Sequence, residues 1–446
     1  MTSAASLSTA QRGPFGTGSA ETVAVSRITE VKLGKMLQPS PTSEHDVEVQ
    51  YLDAKAVQWE HVDLTDLPLM WAGSHELSGY AVRPGDLLVC EGGEAGRCCI
   101  STASTKALIF QNSLHRLRPI GSTDLRFVRY SLRSLADAGW FDVLCNRATI
   151  AHLTREKLAA VRIPAVSADL HSDIADFLDR ETQKIDTLVL GKQRLLELLQ
   201  ERRAALTSHA VTSGLHDGAP MRDSGSVWLG RIPASWEIQP LGRYLRRITY
   251  GFTNPMPAED EGPYMLTAND IGDGEILWAQ ARRTSTEAFA WDLTDKSRPR
   301  AGDVLVTKDG TLGRVAVHDG RPACVNQSVA VLRSNGTLRP GFLSAMLRAE
   351  PYKSRVVFDA GGTTIRHIYI TRLAKMLCAV PPLAEQDDIL AHVARMDAES
   401  TAMGGVVGRA IDALHEYRSA LITAAVTGQI DVRTYRRDPE EVLEAS

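Results

Sequence analysis

Apolar residues follow two alternating patterns along the chain, and each pattern occurs twice. Over residues 27–166 and 235–383, short runs rich in Val, Ile and Leu are separated by Gly, Pro, Asn and Asp. Such runs predict strands and turns with some helix. Over residues 167–215 and 384–435, apolar positions recur every seven residues, which predicts two long helices. A helix of about 40 residues extends roughly 60 Å, too long for an ordinary surface helix.

The heptad positions of the two predicted helices align with each other. This common register favours pairing of the helices as an antiparallel coiled coil, although each helix could instead pack on its own α/β region. The pairing seam is expected to comprise Leu178, Ile185, Leu188, Leu195, Leu199 and Leu206 in the first helix, and Val393, Met396, Met403, Val407, Leu414 and Leu421 in the second.

Short phrases also recur at a nearly constant offset. Arg-Pro-Gly-Asp-Leu-Leu-Val at 83–89 returns as Arg-Ala-Gly-Asp-Val-Leu-Val at 300–306, an offset of 217. Ala-Val-Thr at 210–212 returns at 425–427, an offset of 215. An ordered series of such matches indicates an internal duplication. The predicted fold class is therefore α/β (α+β), with two α/β domains alternating with two long helices in a pseudo-twofold repeat.

The remaining segments are short. The sequence predicts a flexible N-terminal tail at 1–26, a linker at 216–234 and a C-terminal tail at 436–446.

Composition restricts the class of protein but does not identify it. The net charge is −4, yet the region 235–383 carries an excess of four positive charges. No run approaches 18 consecutive apolar residues, and the first 26 residues lack the apolar core of a secretion signal. The six cysteines show no paired metal-binding spacing, which indicates free thiols in a reducing cytoplasm. We therefore expect a cytoplasmic protein with no bound metal.

Four phrases within this duplicated arrangement are typical of one protein family. They are Ile-Pro-Ala-Ser-Trp-Glu at 232–237, Pro-Pro-Leu-Ala-Glu-Gln-Asp-Asp-Ile at 381–389, Glu-Thr-Gln-Lys-Ile-Asp at 181–186 and Ala-Val-Thr-Gly-Gln-Ile at 425–430. Together with the order of elements over 27–435, they resemble the specificity subunits of Type I restriction-modification systems.

The resemblance implies two target recognition domains, at 27–166 and 235–383, each reading one half of a bipartite site in double-stranded DNA. It also implies that the paired helices set the spacing and dock two methyltransferase (modification) subunits, with restriction and translocase subunits where these are present. S-adenosylmethionine is then expected on the partner methyltransferase, with no cofactor bound by this chain and no membrane association. The alternative is a coiled-coil scaffold whose α/β domains bind proteins.

Motifs for catalysis are missing from the sequence. A methyltransferase acting on adenine would need an Asn/Asp-Pro-Pro-aromatic loop, and the nearest phrase, Asn-Pro-Met-Pro at 254–257, lacks the second adjacent Pro and the aromatic residue. The Gly-x4-Gly-Lys-Ser/Thr loop of nucleotide hydrolases is absent as well. We therefore expect a non-catalytic subunit.

Three places in the second α/β region offer side chains suited to DNA. Arg and Lys bind phosphates, while Arg, Lys, Asn and Gln pair with base edges. The segments are 308–314, with two cations around a Gly-containing turn, 326–328, with two amides that could equally cap or bridge strands, and 361–367, which is rich in Gly and Thr. The residues expected to contact DNA here are Lys308, Thr311, Arg314, Asn326, Gln327, Thr363, Thr364, Arg366 and His367.

The first α/β region departs from the second at these places. Its counterpart of 361–367 has no paired glycines, and Ala151 stands opposite Arg366. The corresponding expected DNA contacts are Lys106, Gln111, Asn112, Arg147 and His152.

Overall fold

The chain divides into two compact units. In a computed structural model, which describes residues 15, 21–103, 108–145, 152–216, 218–361 and 366–434, the first unit consists of 1–192 with 409–446, and the second of 193–408. Each unit therefore combines one α/β region with parts of both long helices. The expected contacts Lys106, Arg147, Thr363 and Thr364 lie outside the described residues.

The first unit contains a four-stranded antiparallel sheet of order β2-β8-β5-β6 and a three-stranded sheet of order β4-β3-β7. Its strands are β1 (Thr22–Ala24), β2 (Thr29–Leu33), β3 (Val47–Leu52), β4 (Leu69–Ala72), β5 (Leu87–Cys90), β6 (Cys98–Ile100), β7 (Leu108–Phe110), β8 (Leu114–Pro119) and β9 (Arg162–Pro164). Its helices are α1 (Val25–Ile28), α2 (Ser74–Tyr80), α3 (Leu125–Asp137), α4 (Trp140–Leu144) and α5 (Arg155–Ala160), followed by α6 (Ala168–Ser213), which continues into the second unit.

The second unit repeats this architecture, with sheets of order β13-β19-β16-β17 and β15-β14-β18. Its strands are β10 (Met221–Asp223), β11 (Arg231–Pro233), β12 (Glu237–Pro240), β13 (Leu245–Tyr250), β14 (Glu259–Leu266), β15 (Arg282–Arg283), β16 (Val304–Thr307), β17 (Val315–Val317), β18 (Ala323–Val325), β19 (Val329–Ser334) and β20 (Leu377–Val380). Its helices are α7 (Thr286–Trp291), α8 (Pro340–Arg348), α9 (Tyr352–Phe358) and α10 (Ile370–Lys375), followed by α11 (Leu383–Val426), which returns to the first unit.

The repeated phrase at 83–89 and 300–306 forms the centre of each four-stranded sheet. All residues of β5 and β16 are buried, as expected for an apolar run between two neighbouring strands. The preceding glycines have positive φ, 89° for Gly85 and 84° for Gly302, a conformation that glycine adopts at little cost. The duplicated sequence therefore encodes a turn that enters a central strand.

The aspartate of each phrase forms a bidentate ion pair with an arginine of the neighbouring strand, β8 or β19. Asp303 accepts hydrogen bonds from Arg333 Nε at 2.7 Å and Nη2 at 2.6 Å, and from the Arg300 backbone N–H at 2.7 Å. Asp86 is bound in the same way by Arg118, at 2.7 and 3.0 Å. Since these carboxylates are nearly fully buried, their charge is compensated by the arginine and by the turn.

A helix packs on the four-stranded sheet at the same place in both units. In α3, Asp124 caps the first turn by accepting a hydrogen bond from the Arg126 N–H, and Phe127 is fully buried. In α8, Pro340 occupies the first turn and Phe342 is fully buried. The two phenylalanines are separated by the repeat offset of 215.

Two of the four family-typical phrases meet in the second unit. Trp236 is buried, and its Nε1–H donates to Glu385 Oε1 at 3.0 Å. The neighbouring Gln386 is also buried; it accepts from the Arg339 N–H at 2.7 Å and donates to the carbonyl oxygens of Thr337 and Pro381. These phrases therefore tie the start of α11 to the strand and helix beside it.

The structure confirms the prediction that a long helix follows each α/β region. Helix α6 has 46 residues and α11 has 44. In the first unit, their buried residues join the α3 core, among them Ile174, Leu178 and Ile185 of α6 and Leu421 of α11. The ion pairs Asp186–Arg418 in the first unit and Arg203–Asp397 in the second follow an antiparallel order.

The buried stripe differs from the seam that the heptads predict. In α6 it advances by eleven residues, from Ile174 to Ile185 and from Leu178 to Val189, which is about 3.67 residues per turn instead of the 3.5 of a heptad seam. The helix packs on a domain core as well as on its partner. Of the expected seam, Leu178, Ile185 and Leu421 are buried, and Leu199, Val393, Met396, Val407 and Leu414 are half-buried. The exposed members are Leu188, Leu195, Leu206 and Met403.

In the described part of the chain, no helix combines the length and the apolar character that crossing a membrane requires. All six cysteines are buried and free of disulfide bonds.

We expect Asp303→Asn to lower the free energy of unfolding of the second unit by about 3 kcal/mol, because it leaves the Arg333 guanidinium without its charged partner. Urea denaturation followed by circular dichroism measures this loss. Asp295→Asn is the matched control, since Asp295 pairs with Arg300 on an exposed surface. Equal stability of the two variants would contradict the assigned role of Asp303.

Candidate nucleic-acid interface

The three polar segments singled out in the second α/β region meet at Lys308. The Lys308 N–H donates to the Ser328 carbonyl oxygen, and the Ile368 N–H donates to the Lys308 carbonyl oxygen, both at 2.9 Å. Lys308 follows β16, Ser328 precedes β19, and Ile368 precedes α10. We call this arrangement the loop crossing, because the backbone of one loop is bonded on both sides by the other two.

The side chains at the loop crossing bind one another. Lys308 is buried, and its Nζ lies 3.1 Å from His367 Nε2 and 5.2 Å from the centre of the Tyr250 ring. His367 Nδ1 is hydrogen-bonded to a carboxylate oxygen of Asp309. Both ring nitrogens of His367 therefore have protein partners. Lys308 and His367, two of the expected DNA contacts, brace the loops in this arrangement.

The amide of Asn326 caps its own turn. Asn326 Oδ1 accepts from the Ser328 N–H at 3.0 Å and from the Ser328 hydroxyl, whose oxygen accepts from the Ala268 N–H at 2.9 Å. This is one of the two roles open to it from sequence. The neighbouring Gln327 is exposed.

The other expected contacts of this region lie around the loop crossing. Thr311 is exposed and Arg314 half-buried on the turn between β16 and β17. Arg366 is exposed, and its Nη2 donates to the Val357 carbonyl oxygen at 2.7 Å. The cations are thus held on the surface near the loops that the crossing fixes.

A polar cleft of about 630 Å³ opens beside the loop crossing. Asp309 and Asn326 line it, together with the exposed residues Asn269 and Gln280 between β14 and β15 and the exposed Arg282 at the start of β15. Sequence reasoning did not select the last three residues. They have no counterpart in the duplicated phrases, and only the fold brings them to the cleft.

The segment that carries α9 and α10 is strongly basic. Between residues 352 and 375 it contains five Lys and Arg residues, at 353, 355, 366, 372 and 375, against a single acid, Asp359. The equivalent segment of the first unit, 137–160, has three basic and three acidic residues. The excess of positive charge in this segment is therefore particular to the second unit.

The first unit contains the same loop crossing with a different residue at its centre. The Glu91 N–H donates to the Ser113 carbonyl oxygen at 2.9 Å, and the Leu153 N–H donates to the Glu91 carbonyl oxygen at 2.7 Å. Glu91 stands where the second unit has Lys308, so the charge at this point is reversed. Burial raises the pKa of Glu91, and the nearby His152 opposes that rise.

The expected contacts of the first unit are placed around its crossing. Gln111 Oε1 accepts from the Ser113 N–H at 3.1 Å, which is the capping role of Asn326. Asn112 Nδ2 lies 3.0 Å from the sulfur of Met36, and His152 is exposed. Gly92 occupies the position of Asp309, so His152 has no carboxylate at the place where His367 has one.

A glycine allows the close backbone approach behind each crossing. A Cβ added to Gly251 would lie 1.7 Å from the Val325 carbonyl oxygen, and one added to Gly34 would lie 2.2 Å from the Gln111 carbonyl oxygen. Any larger residue must displace the segment that leads into Asn326 or Gln111. These two glycines are separated by the repeat offset of 217, a match that sequence comparison alone could have found.

Among the described residues, no group of three or more His, Cys, Asp or Glu side chains is placed to hold a metal ion.

Residues 258–403 match the family model described as the Type I restriction modification DNA specificity domain. The chain is also 23% identical over 373 residues to the Type I restriction enzyme EcoBI specificity subunit of Escherichia coli, an alignment that covers 81% of this chain and 77% of that protein.

Two solved structures share the fold. One comes from a study of complex assembly and conformational transition of the type I R-M system; it has a TM-score of 0.69 and 16% identity, and the match covers 93% of this chain and 99% of that chain. The other is the HsdS subunit from Thermoanaerobacter tengcongensis, with a TM-score of 0.52, 16% identity, and coverage of 94% of this chain and 100% of that chain.

We expect Gly251→Ala to destabilise the second unit by about 2 kcal/mol, because the new methyl group overlaps the Val325 carbonyl oxygen. Thermal unfolding measures the change. Gly218→Ala is the control, since its added Cβ meets nothing within 4 Å. A Gly251→Ala protein as stable as this control would show that the close approach is not required.

Proposed function

The chain belongs to the family of Type I restriction-modification specificity subunits, whose domain recognises DNA sequence, and we propose that each of its α/β regions reads one half of a bipartite site. The observation that carries this proposal is the second unit's loop crossing. It fixes a polar cleft beside the basic segment 352–375. Cations that bind phosphates and amides that read base edges are the two components of sequence-specific DNA binding.

The cleft supplies suitable chemistry for reading bases. Arg282 can donate two hydrogen bonds to guanine O6 and N7, and Gln280 or Asn269 can pair with adenine N6 and N7. All three side chains are exposed at the cleft and lie next to the braced loops. A rigid support of this kind favours discrimination between bases, because a misplaced donor loses its partner.

The two crossings support different half-sites. Lys308 and Asp309 at the second crossing are replaced by Glu91 and Gly92 at the first, so equivalent backbones hold their loops with different side chains. The loops around the two crossings can therefore present different donors and acceptors to base edges. We infer that the two α/β regions prefer different bases, as a non-palindromic bipartite site requires.

We propose that the long helices set the distance between the half-sites and dock two methyltransferase subunits. Several large apolar side chains along their middle portions are exposed, which is a common property of partner-binding helices. In α6 they are Leu188, Leu190, Leu195 and Leu198, and in α11 Met403 and Val406. In this proposal the chain is non-catalytic, S-adenosylmethionine binds to the methyltransferase partner, and restriction subunits join where present.

The proposal is tested by DNA binding of the complex assembled with its modification subunits. The recognised sequence is first obtained by mapping methylated bases in the host genome. We expect the affinity for a duplex with this sequence to fall steeply with salt, because phosphate contacts release counterions. An affinity that depends neither on the duplex sequence nor on the salt concentration would contradict DNA recognition and favour a protein-binding scaffold.

We expect Arg282→Ala to cost about 1–3 kcal/mol in binding to the recognised duplex and to relax selectivity at one base pair of one half-site. Competition with duplexes substituted at each position measures both effects. Arg433→Ala is the control, since Arg433 is exposed beyond the end of α11 and pairs with Asp431. Unchanged selectivity would remove Arg282 from the reading surface.

A further inference from the structure

An arginine of α11 connects three parts of the first unit. Arg418 is almost completely buried, with 8% of its side chain exposed. Its Nη2 donates to Glu60 Oε1 at 2.6 Å, and its Nε donates to Asp186 Oδ1 at 3.0 Å. Glu60 belongs to the α/β region and Asp186 to α6. A planar guanidinium holds such partners in fixed directions, so Arg418 joins both long helices to the α/β region.

The Glu60 carboxylate is the centre of this contact. It lies in a turn that is closed by a β-bridge between Val57 and Val62. Besides Arg418, it faces two cations of α3, with Arg129 Nη1 at 3.5 Å and Arg133 Nη1 at 3.9 Å. Three guanidinium groups around one carboxylate hold the turn against the helices more firmly than an isolated surface pair would.

The second unit has the same parts with a different pairing. Its turn is closed by the bridge between Ile271 and Ile276, and Asp273 within it binds Arg348 of α8 at 2.8 Å. Arg348 is the counterpart of Arg133 at the repeat offset of 215, and Arg203 of α6 is the counterpart of Arg418.

Arg203, however, pairs with Asp397 of α11. A cavity of about 440 Å³ lies here, lined by Arg203, Asp397, Asp273 and Arg348. The arginine of the long helix thus binds both the turn and the other long helix in the first unit, whereas in the second unit it pairs with the other long helix and the turn pairs with Arg348.

We propose that Glu60 and Arg418 are positioning residues that fix the first α/β region on the long helices, and so restrict the gap between half-sites that the protein accepts. This inference rests on the proposed reading of a bipartite site. One base pair advances the duplex by about 3.4 Å, so a small tilt of the α/β region on its helices would bring its loops to the neighbouring step. A rigid link prevents that tilt, because the turn, α3 and both long helices share one ionic cluster.

The experiment compares gap selectivity, using the complex with its modification subunits and three duplexes. They carry the mapped half-sites with the natural gap, with one base pair removed and with one added. We expect Glu60→Gln and Arg418→Met to reduce the preference for the natural gap by about threefold or more, while affinity for the natural duplex changes by less than about twofold. Glu48→Gln is the matched control, an exposed carboxylate on β3, and should behave as the unaltered protein.

Glu60→Gln keeps the test independent of folding. Its carboxylate is half exposed and the amide has the same shape, so thermal unfolding should remain close to that of the unaltered chain. If both variants weaken binding to all three duplexes by one factor, or leave the preference unchanged, the positioning role is wrong while DNA recognition stands. If the unaltered complex binds none of the duplexes in a salt-dependent way, the proposed function fails, and this inference fails with it.

Discussion

Each long helix is stabilised where its ends are buried in a domain core. A single helix of this length cannot bury its apolar side, and most of its stability must come from packing. Helix α6 contributes Ile174, Leu178 and Ile185 to the core of the first unit, and Ala210 and Val211 to that of the second. Because the same continuous helix belongs to both cores, neither α/β region is complete without it. The folding of both α/β regions therefore depends on apolar contacts of the same helix.

Duplication preserved the backbone of the candidate interface and changed its side chains. The Asp–Arg pairs, the glycines behind the crossings and the capping amides occupy equivalent places in both units. The residues at the centre differ completely in charge, Glu91 against Lys308. Structural constraints act on the backbone hydrogen bonds, which either residue can make. The exposed loop chemistry is free to differ, as it must if the two regions read different sequences.

The repeat made most of the fold predictable from sequence. The phrases at 83–89 and 300–306 identified the central strands, and the heptads identified both long helices, because these signals arise from local burial that repeats along the chain. The sequence predicted less well which face of each helix is buried. Leu188 fits the heptad but is exposed, since packing on a third element shifts the stripe to Val189.

The interface was predictable in part. Sequence selected the three segments that meet at Lys308, yet it could not distinguish a side chain that braces a loop from one that faces the cleft. That distinction depends on burial, which places Lys308 inside and Arg282 outside. Cleft residues from the β14–β15 segment carried no local signal, because their position is determined by the fold as a whole.

The burial of the cysteines has a practical consequence for studying motion in this protein. Burial raises the pKa of the Cys90 thiol to about 11 and that of Cys324 to about 12, so neither forms the reactive thiolate at neutral pH. All six thiols are shielded from solvent. A cysteine introduced on the surface would be the one that alkylating dyes modify readily. Fluorophore pairs placed in the two units could then follow the distance between them, on an otherwise native background, as DNA and partner subunits bind.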